Sequence, residues 1–174
     1  DDLWEKDKLK KQVKFMQEKQ CAFSFTGYEF ADENGIPKTA QGRFEIAKKI
    51  VERAEAFGID RKDVFIDCLT LTVSAEQDAC RQTLEALHRV KTELGCKTCL
   101  GVSNISFGLP NRQLVNHIFL TMALEEGLDL PIINPNDDAM IGAIKAYKVL
   151  ANIDKNSVEF IESYNDVSPQ QAKP

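Results

Sequence analysis

The sequence predicts an α/β fold built of parallel βα repeats, and three observations carry that expectation. Short apolar runs of strand character alternate with longer stretches whose apolar residues recur every three or four positions. The helical stretches stop at Gly58, Gly95 and Gly127, at intervals close to one strand-plus-helix unit; glycine enters the left-handed conformation of a helix end at little cost. A balance of 43% hydrophobic and 28% charged residues over 174 positions fits one soluble globular domain.

In chain order, residues 1–20 carry Leu9, Val13 and Met16 at steps of four and three among Lys, Glu and Gln, the pattern of an amphipathic lead-in helix. Ala22-Phe23-Ser24-Phe25-Thr26 alternates ahead of Gly27 and reads as the first strand. After turn formers between Asp32 and Pro37, a helix presents Phe44, Ala47, Ile50, Val51, Ala54 and Phe57 on one face up to Gly58. Val64-Phe65-Ile66-Asp67 is the second strand. The next helix aligns Leu84, Leu87, Val90 and Leu94, and Ser74 with Gln77 three residues on reads as its capping box. Thr98 to Asn104 reads as the third strand, followed by a helix aligned on Val115, Ile118 and Met122. Leu130 to Asn134 is the fourth strand, and Met140, Ile141, Ile144 and Tyr147 mark the fourth helix. Four βα units thus occupy residues 21–152, and residues 153–174, which end in a polar, proline-containing stretch, read as a linker or tail.

Strands alternating with helices demand a parallel sheet with crossover connections. A doubly wound open sheet meets that demand, and so does part of a (β/α)8 barrel. A barrel needs eight units in roughly 250 residues, so four units would be half of one. Periodicity alone leaves both open.

Several function classes are disfavoured. The longest apolar runs are only a few residues, far short of the ~20 needed to span a bilayer. A net charge of −5 meets a phosphate backbone with repulsion, so nucleic acid is not an expected partner. Five cysteines, an odd number, fit reduced thiols in a cytosol better than a disulfide framework. The start Asp1-Asp2-Leu3-Trp4 lacks an initiator Met and a signal pattern, so a piece of a longer, cytoplasmic protein is expected. Cys96-Lys97-Thr98-Cys99 opens a strand, whereas a redox CxxC opens a helix. Without a second pair or a nearby His it completes no zinc site, and no metal is expected. His88 and His117 fall within helix bodies and read as ordinary surface or flank residues. The run from Gly101 to Gly108 lacks the glycine spacing of a nucleotide phosphate loop.

In either architecture ligands bind beyond the carboxyl ends of the strands, where Thr26, Asp67, Asn104 and Asn134 stand. An ionised Asp67 offers two oxygens side by side to a planar amidine-like edge; as readily, it caps the turn that follows. Asn104 offers a donor and an acceptor to a mixed-polarity heterocycle, or closes an Asx turn over Ile105-Ser106-Phe107-Gly108. Asn134, ahead of Pro135, reads as a turn former and helix lead-in.

The run Gly101-Val102-Ser103-Asn104-Ile105-Ser106-Phe107-Gly108-Leu109-Pro110-Asn111-Arg112 closely resembles the signature of the pterin-binding domain of cobalamin-dependent methionine synthases and the methyltetrahydrofolate:corrinoid methyltransferases. Asn34 to Ala40, Ile66 to Ala75 and Phe119 to Ala123 resemble the same family in the same order, so the likeness spans about residues 20 to 152. The resemblance implies a (β/α)8 TIM barrel related to dihydropteroate synthase, of which this chain matches the C-terminal half. It implies that Asp67 binds the amino-pyrimidine edge of the pterin, that Gly101 and Ser103 join the pterin contacts, and that Asn104 is the catalytic residue near N5 of the folate. The implied reaction moves a methyl group from 5-methyltetrahydrofolate to a cob(I)alamin corrinoid, with cobalamin bound by another domain or protein. With the first half-barrel missing from the match, the isolated piece is expected to be inactive, and a non-catalytic folate-binding or structural half-barrel is the alternative. Open barrel edges would also favour a homodimer.

Overall fold

The computed structural model describes residues 36–165 together with Lys10, Lys14 and Glu18. The expected first strand at Ala22–Thr26, the turn formers up to Gly35 and the Leu9, Val13, Met16 face lie outside the described residues. The chain divides into two compact units, residues 1–36 and 37–174. Of the first, Lys10, Lys14 and Glu18 are helical and exposed, with Lys14 Nζ 3.7 Å from Glu18 one turn on.

The second unit begins with α1 (Ala40–Ala56), whose N-cap Thr39 accepts from the Gly42 N–H at 3.1 Å. Phe44, Ala47 and Val51 are buried and Ile50 packs beside them, whereas Phe57 lies past the helix end and is exposed. Strand β1 (Phe65–Asp67) leads to α2 (Ala79–Arg89), which continues into a π-helical turn at Val90–Leu94. The wider turn keeps Val90 and Leu94 in the core with Leu84 and Leu87. Then come β2 (Lys97–Gly101), a 3-10 turn at Val102–Ser106, α3 (Arg112–Glu125), β3 (Leu130–Ile132) and α4 (Asp138–Leu150). Gly58, Gly95 and Gly127 all have positive φ, as their helix-ending places require. At Gly127 the space is closed as well, because a Cβ would sit 2.7 Å from Lys91 Cγ.

Three expectations about the helices change. Ser74 does not cap α2: its hydroxyl is bonded elsewhere, and the helix starts at Ala79 after Asp78. The core face of α3 is Asn116, Phe119, Leu120 and Ala123; Ile118 and Met122 are exposed and Val115 only partly buried. This helix is apolar on both sides, so spacing alone could not select the face. Within the expected tail, a 3-10 turn at Lys155–Ser157 precedes α5 (Val158–Tyr164). Buried Asp154 anchors it, its two carboxylate oxygens accepting from the Glu159 and Phe160 N–H groups at 3.1 and 2.9 Å.

The described strands form one parallel sheet in the order β1-β2-β3, with Asp67 opposite Cys99 and Gly101 opposite Ile132. Side chains alternate across a strand, and burial alternates with them. Ile66, Thr98 and Leu100 are buried on the face that meets the helical core. Phe65, Asp67, Lys97, Cys99, Gly101, Leu130 and Ile132 are half-buried or exposed.

Thr98 joins β2 to the segment before β3: its buried hydroxyl donates to the Gly127 carbonyl at 2.8 Å and accepts from the Asp129 N–H at 3.1 Å. Thr98→Val keeps the shape and strands both backbone groups, so it should cost about 1–3 kcal/mol. Urea denaturation measures the loss, and Thr98→Ser should recover most of it.

Candidate functional site

Parallel strands end along one edge, and the loops beyond that edge carry the polar residues singled out above. Asp67 is the last residue of β1. Its Oδ1 accepts from the Leu69 N–H at 2.8 Å, so the turn-capping reading holds for this oxygen. Oδ2 has no hydrogen-bond partner among the described residues. The side chain reaches solvent, yet the protein around its base raises the carboxyl pKa above the ordinary carboxylate value, with the Leu69 N–H opposing the rise. The turn passes through Leu69 with φ +60°, a left-handed conformation that a leucine adopts only where its surroundings impose it.

Asn104 does not end a strand as its sequence suggests. The ladder stops at Gly101, and Val102 and Ile105, three apart and both buried, turn the chain into the 3-10 segment that carries Asn104. Asn104 is exposed there. A Cβ on Gly101 would lie 3.0 Å from Asn104 Nδ2, so the glycine leaves room for the carboxamide to fold back over the strand end. The expected Asx turn is not made by the side chain: the Phe107 N–H donates to the Asn104 carbonyl at 3.4 Å. The carboxamide has no partner among the described residues. Ser103 is half-buried, and its carbonyl accepts from Arg112 Nη2 at 2.9 Å. Asn134 is a turn former as read, accepting from the Asn136 N–H at 3.0 Å through Oδ1 and from the Asp137 N–H at 3.1 Å through its carbonyl. Thr26 lies outside the described residues.

The loops bearing Asp67 and Asn104 are tied together. Thr72 Oγ1 and Ser74 Oγ donate to the Phe107 carbonyl at 2.8 and 2.6 Å, and the Val73 N–H donates to the Ile105 carbonyl at 3.0 Å. Arg112 braces the same turn, its Nε donating to Ser106 Oγ at 3.0 Å and its guanidinium lying 4.4 Å from the Phe107 ring centroid. Sequence reasoning gave these residues no role in the site. The Thr72 and Ser74 hydroxyls that follow β1 so closely are the available signal, of which Ser74 reads in the sequence as a helix cap.

Two thiols border Asp67, and burial, reinforced by the Asp67 charge, pushes both Cys68 and Cys99 up to about 12. They stay protonated and unreactive at neutral pH. His88 pairs with Glu126 at 2.9 Å and His117 with Asp137 at 3.3 Å, both on helix flanks. Among the described residues, no group of three His, Cys, Asp or Glu side chains is placed to hold a metal, and no helix is long and apolar enough to cross a membrane.

The chain is an α/β protein with a parallel sheet, and among the described residues one carboxylate oxygen and one carboxamide are left without partners at the strand-end edge where proteins of this class bind ligands. The chain belongs to the family of pterin binding enzymes, whose model matches residues 11–134. It is 29% identical over 147 residues to the methylcorrinoid:tetrahydrofolate methyltransferase of Eubacterium limosum, covering 82% of this chain and 54% of that protein. It is 34% identical over 131 residues to the methionine synthase of Mycobacterium leprae, covering 71% of this chain and 11% of that protein. The methionine synthase of Mycobacterium tuberculosis is 38% identical over 111 residues, 59% of this chain and 9% of that protein. The chain thus spans about half the length of the first relative and about a tenth of the other two.

Burial at Asp67 makes a pH-dependent expectation. With its folded pKa above the unfolded value, the native state holds the proton more tightly, so stability falls as pH rises through that window. Ionised Asp67 is a cost at neutral pH. Asp67→Asn keeps the bond from Leu69 and should match or exceed the wild-type urea midpoint at pH 7, with the advantage disappearing well below the ordinary carboxylate range.

Proposed function

We propose that this chain is the C-terminal half of a folate-binding (β/α)8 barrel whose intact protein moves a methyl group from N5 of 5-methyltetrahydrofolate to a cob(I)alamin corrinoid. The observation that carries the reading is the pairing of Asp67 and Asn104. Asp67 ends β1 and Asn104 stands just past the end of neighbouring β2, their loops joined through Thr72, Ser74 and Phe107, each with polar capacity left open among the described residues. Among the described residues the helices cover one face of the sheet, which supports the barrel over the doubly wound alternative, because a doubly wound sheet carries helices on both faces, whereas a barrel's helices lie outside only. The face that carries half-buried Cys99 and exposed Ile132 is then the inner wall, which four further strands would close. Pairing of two copies along the open edges is the assembly this reading allows.

In this site Asp67 Oδ2 accepts from the amino-pyrimidine edge of the pterin while Oδ1 stays on Leu69. Gly101 and Ser103 line the approach to the ring. Asn104 hydrogen-bonds N5. An amine leaves poorly unless it carries positive charge, so N5 must be protonated as the methyl departs. Asn104 stabilises that change by reorienting an amide that can donate or accept, and the proton comes from elsewhere, since an amide is no acid at neutral pH. The corrinoid that takes the methyl group is held by another domain or protein. The Eubacterium limosum relative is named for transfer from methylcorrinoid to tetrahydrofolate, and a site that stabilises one direction stabilises its reverse.

In the intact protein, Asp67→Ala should cost about 1.5–3 kcal/mol of folate binding, near ten- to a hundredfold in Kd. Isothermal titration with 5-methyltetrahydrofolate measures it, and unchanged affinity in a folded variant removes Asp67 from the site. Asn104→Ala should slow single-turnover methyl transfer at saturating folate by more than its loss of affinity accounts for. A wild-type protein that binds folate and transfers no methyl group to cob(I)alamin would instead be a folate-binding module.

A further inference from the structure

Arg43, in the first turns of α1, is a buried cation with no carboxylate against it among the described residues. Nε donates to the Pro37 carbonyl at 3.0 Å, and Nη1 donates to the Leu69 carbonyl at 2.9 Å, the Cys68 carbonyl at 3.3 Å and Thr83 Oγ1 at 2.8 Å. Nη2 is buried without a partner among the described residues. Burial works against the charge and pulls the guanidinium pKa down. Packing alone does not call for such a residue, since an apolar side chain of similar volume fills a core position without the cost of desolvating a charge. What the arginine supplies is a set of donors aimed at one short stretch of backbone.

That stretch is the turn next to Asp67. The Cys68–Leu69 peptide accepts from Arg43 through its C=O and donates to Asp67 Oδ1 through its N–H, so one rigid plane lies between the guanidinium and the carboxylate. The next carbonyl, of Leu69, is held by Arg43 and by Thr83 Oγ1 at 3.2 Å, which pins the left-handed conformation of Leu69. Hydrogen bonds in series polarise one another, and an N–H aimed at a carboxylate favours its ionised form. The other titratable groups facing Asp67 are Cys68 and Cys99, both held protonated.

We propose that Arg43 is a positioning residue of the folate site: through the Cys68–Leu69 peptide it holds Asp67 so that Oδ2 faces the pterin edge. The proposal rests on the folate reading of Asp67.

The test is an NMR titration of aspartate-labelled (13Cγ) intact protein, with Asp67→Asn identifying the Asp67 signal, alongside 5-methyltetrahydrofolate affinity at pH 7. Arg43→Met fills the same space without donors. It should raise the Asp67 midpoint by about one pH unit as the peptide loosens, and weaken folate binding about tenfold. Arg43→Lys, which keeps the charge but cannot bridge several carbonyls, should recover part of both. A folded Arg43→Met with wild-type midpoint and affinity overturns the proposal. If Arg43→Met does not fold, Arg43→Lys and Thr83→Val are read the same way, and unshifted midpoints in both overturn it. Wild-type protein that binds no 5-methyltetrahydrofolate overturns the folate reading instead, and the Asp67 midpoint, measured without folate, still decides whether Arg43 governs that carboxylate.

Discussion

The parallel ladder in which Asp67 lies opposite Cys99 and Gly101 opposite Ile132 sets everything downstream of it. Because the three strands run the same way, each one ends on the same edge, and each following helix begins there. The loops between strand and helix therefore crowd together. Crowding alone would leave two exposed loops to move separately; the Phe107 carbonyl, accepting hydrogen bonds from the Thr72 and Ser74 hydroxyls, makes the loops beyond β1 and β2 a single surface. Asp67 and Asn104 owe their fixed relation to that carbonyl as much as to the sheet.

Backbone economy runs through the same region. Gly101 provides the room in which Asn104 folds back, Leu69 takes a left-handed conformation beside Asp67, and the Arg43 guanidinium meets the carbonyls that this turn leaves pointing inward. A buried polar group without a partner is costly, so the inward carbonyls and the inward arginine compensate one another. The outer part of the turn is then free to present polar atoms outward. At Asp67 burial disfavours the charge that the proposed pterin contact would use.

The helical layer covers one face of the sheet through Ile66, Thr98 and Leu100, with Leu87, Leu120 and Met140 among the fully buried side chains behind them. Each such apolar side chain contributes about 1.5–3 kcal/mol by leaving water, which is enough to fix the helices to that face. The opposite face carries exposed Lys97 and Ile132 and half-buried Phe65 and Cys99. A parallel sheet normally has both faces covered, and the proposed barrel supplies the cover from its missing strands.

Much of this was legible in the order of residues. Strand and helix periods, with helix ends at Gly58, Gly95 and Gly127, named the elements from α1 to α4, because those signals are local. The family resemblance of the Gly101–Arg112 run, borne out by the match to pterin binding enzymes, pointed to the same strand ends. The periodic pattern could not choose the buried face of α3, since Ile118 and Met122 are as apolar as Phe119 and Leu120, and only neighbouring elements distinguish them. Nor could it place Ser74, whose hydroxyl has two uses of similar strength, a helix cap or a carbonyl in another loop; the carbonyl came within reach only when β1 and β2 paired. Arg43 gave no signal at all, because an arginine in an amphipathic helix reads as solvated. The sequence by itself determined the order of strands and helices from α1 to α4 and the end of β1 at Asp67. Tertiary structure alone decided which polar groups are satisfied and which are left open, because that balance depends on partners 25 to 40 residues away along the chain.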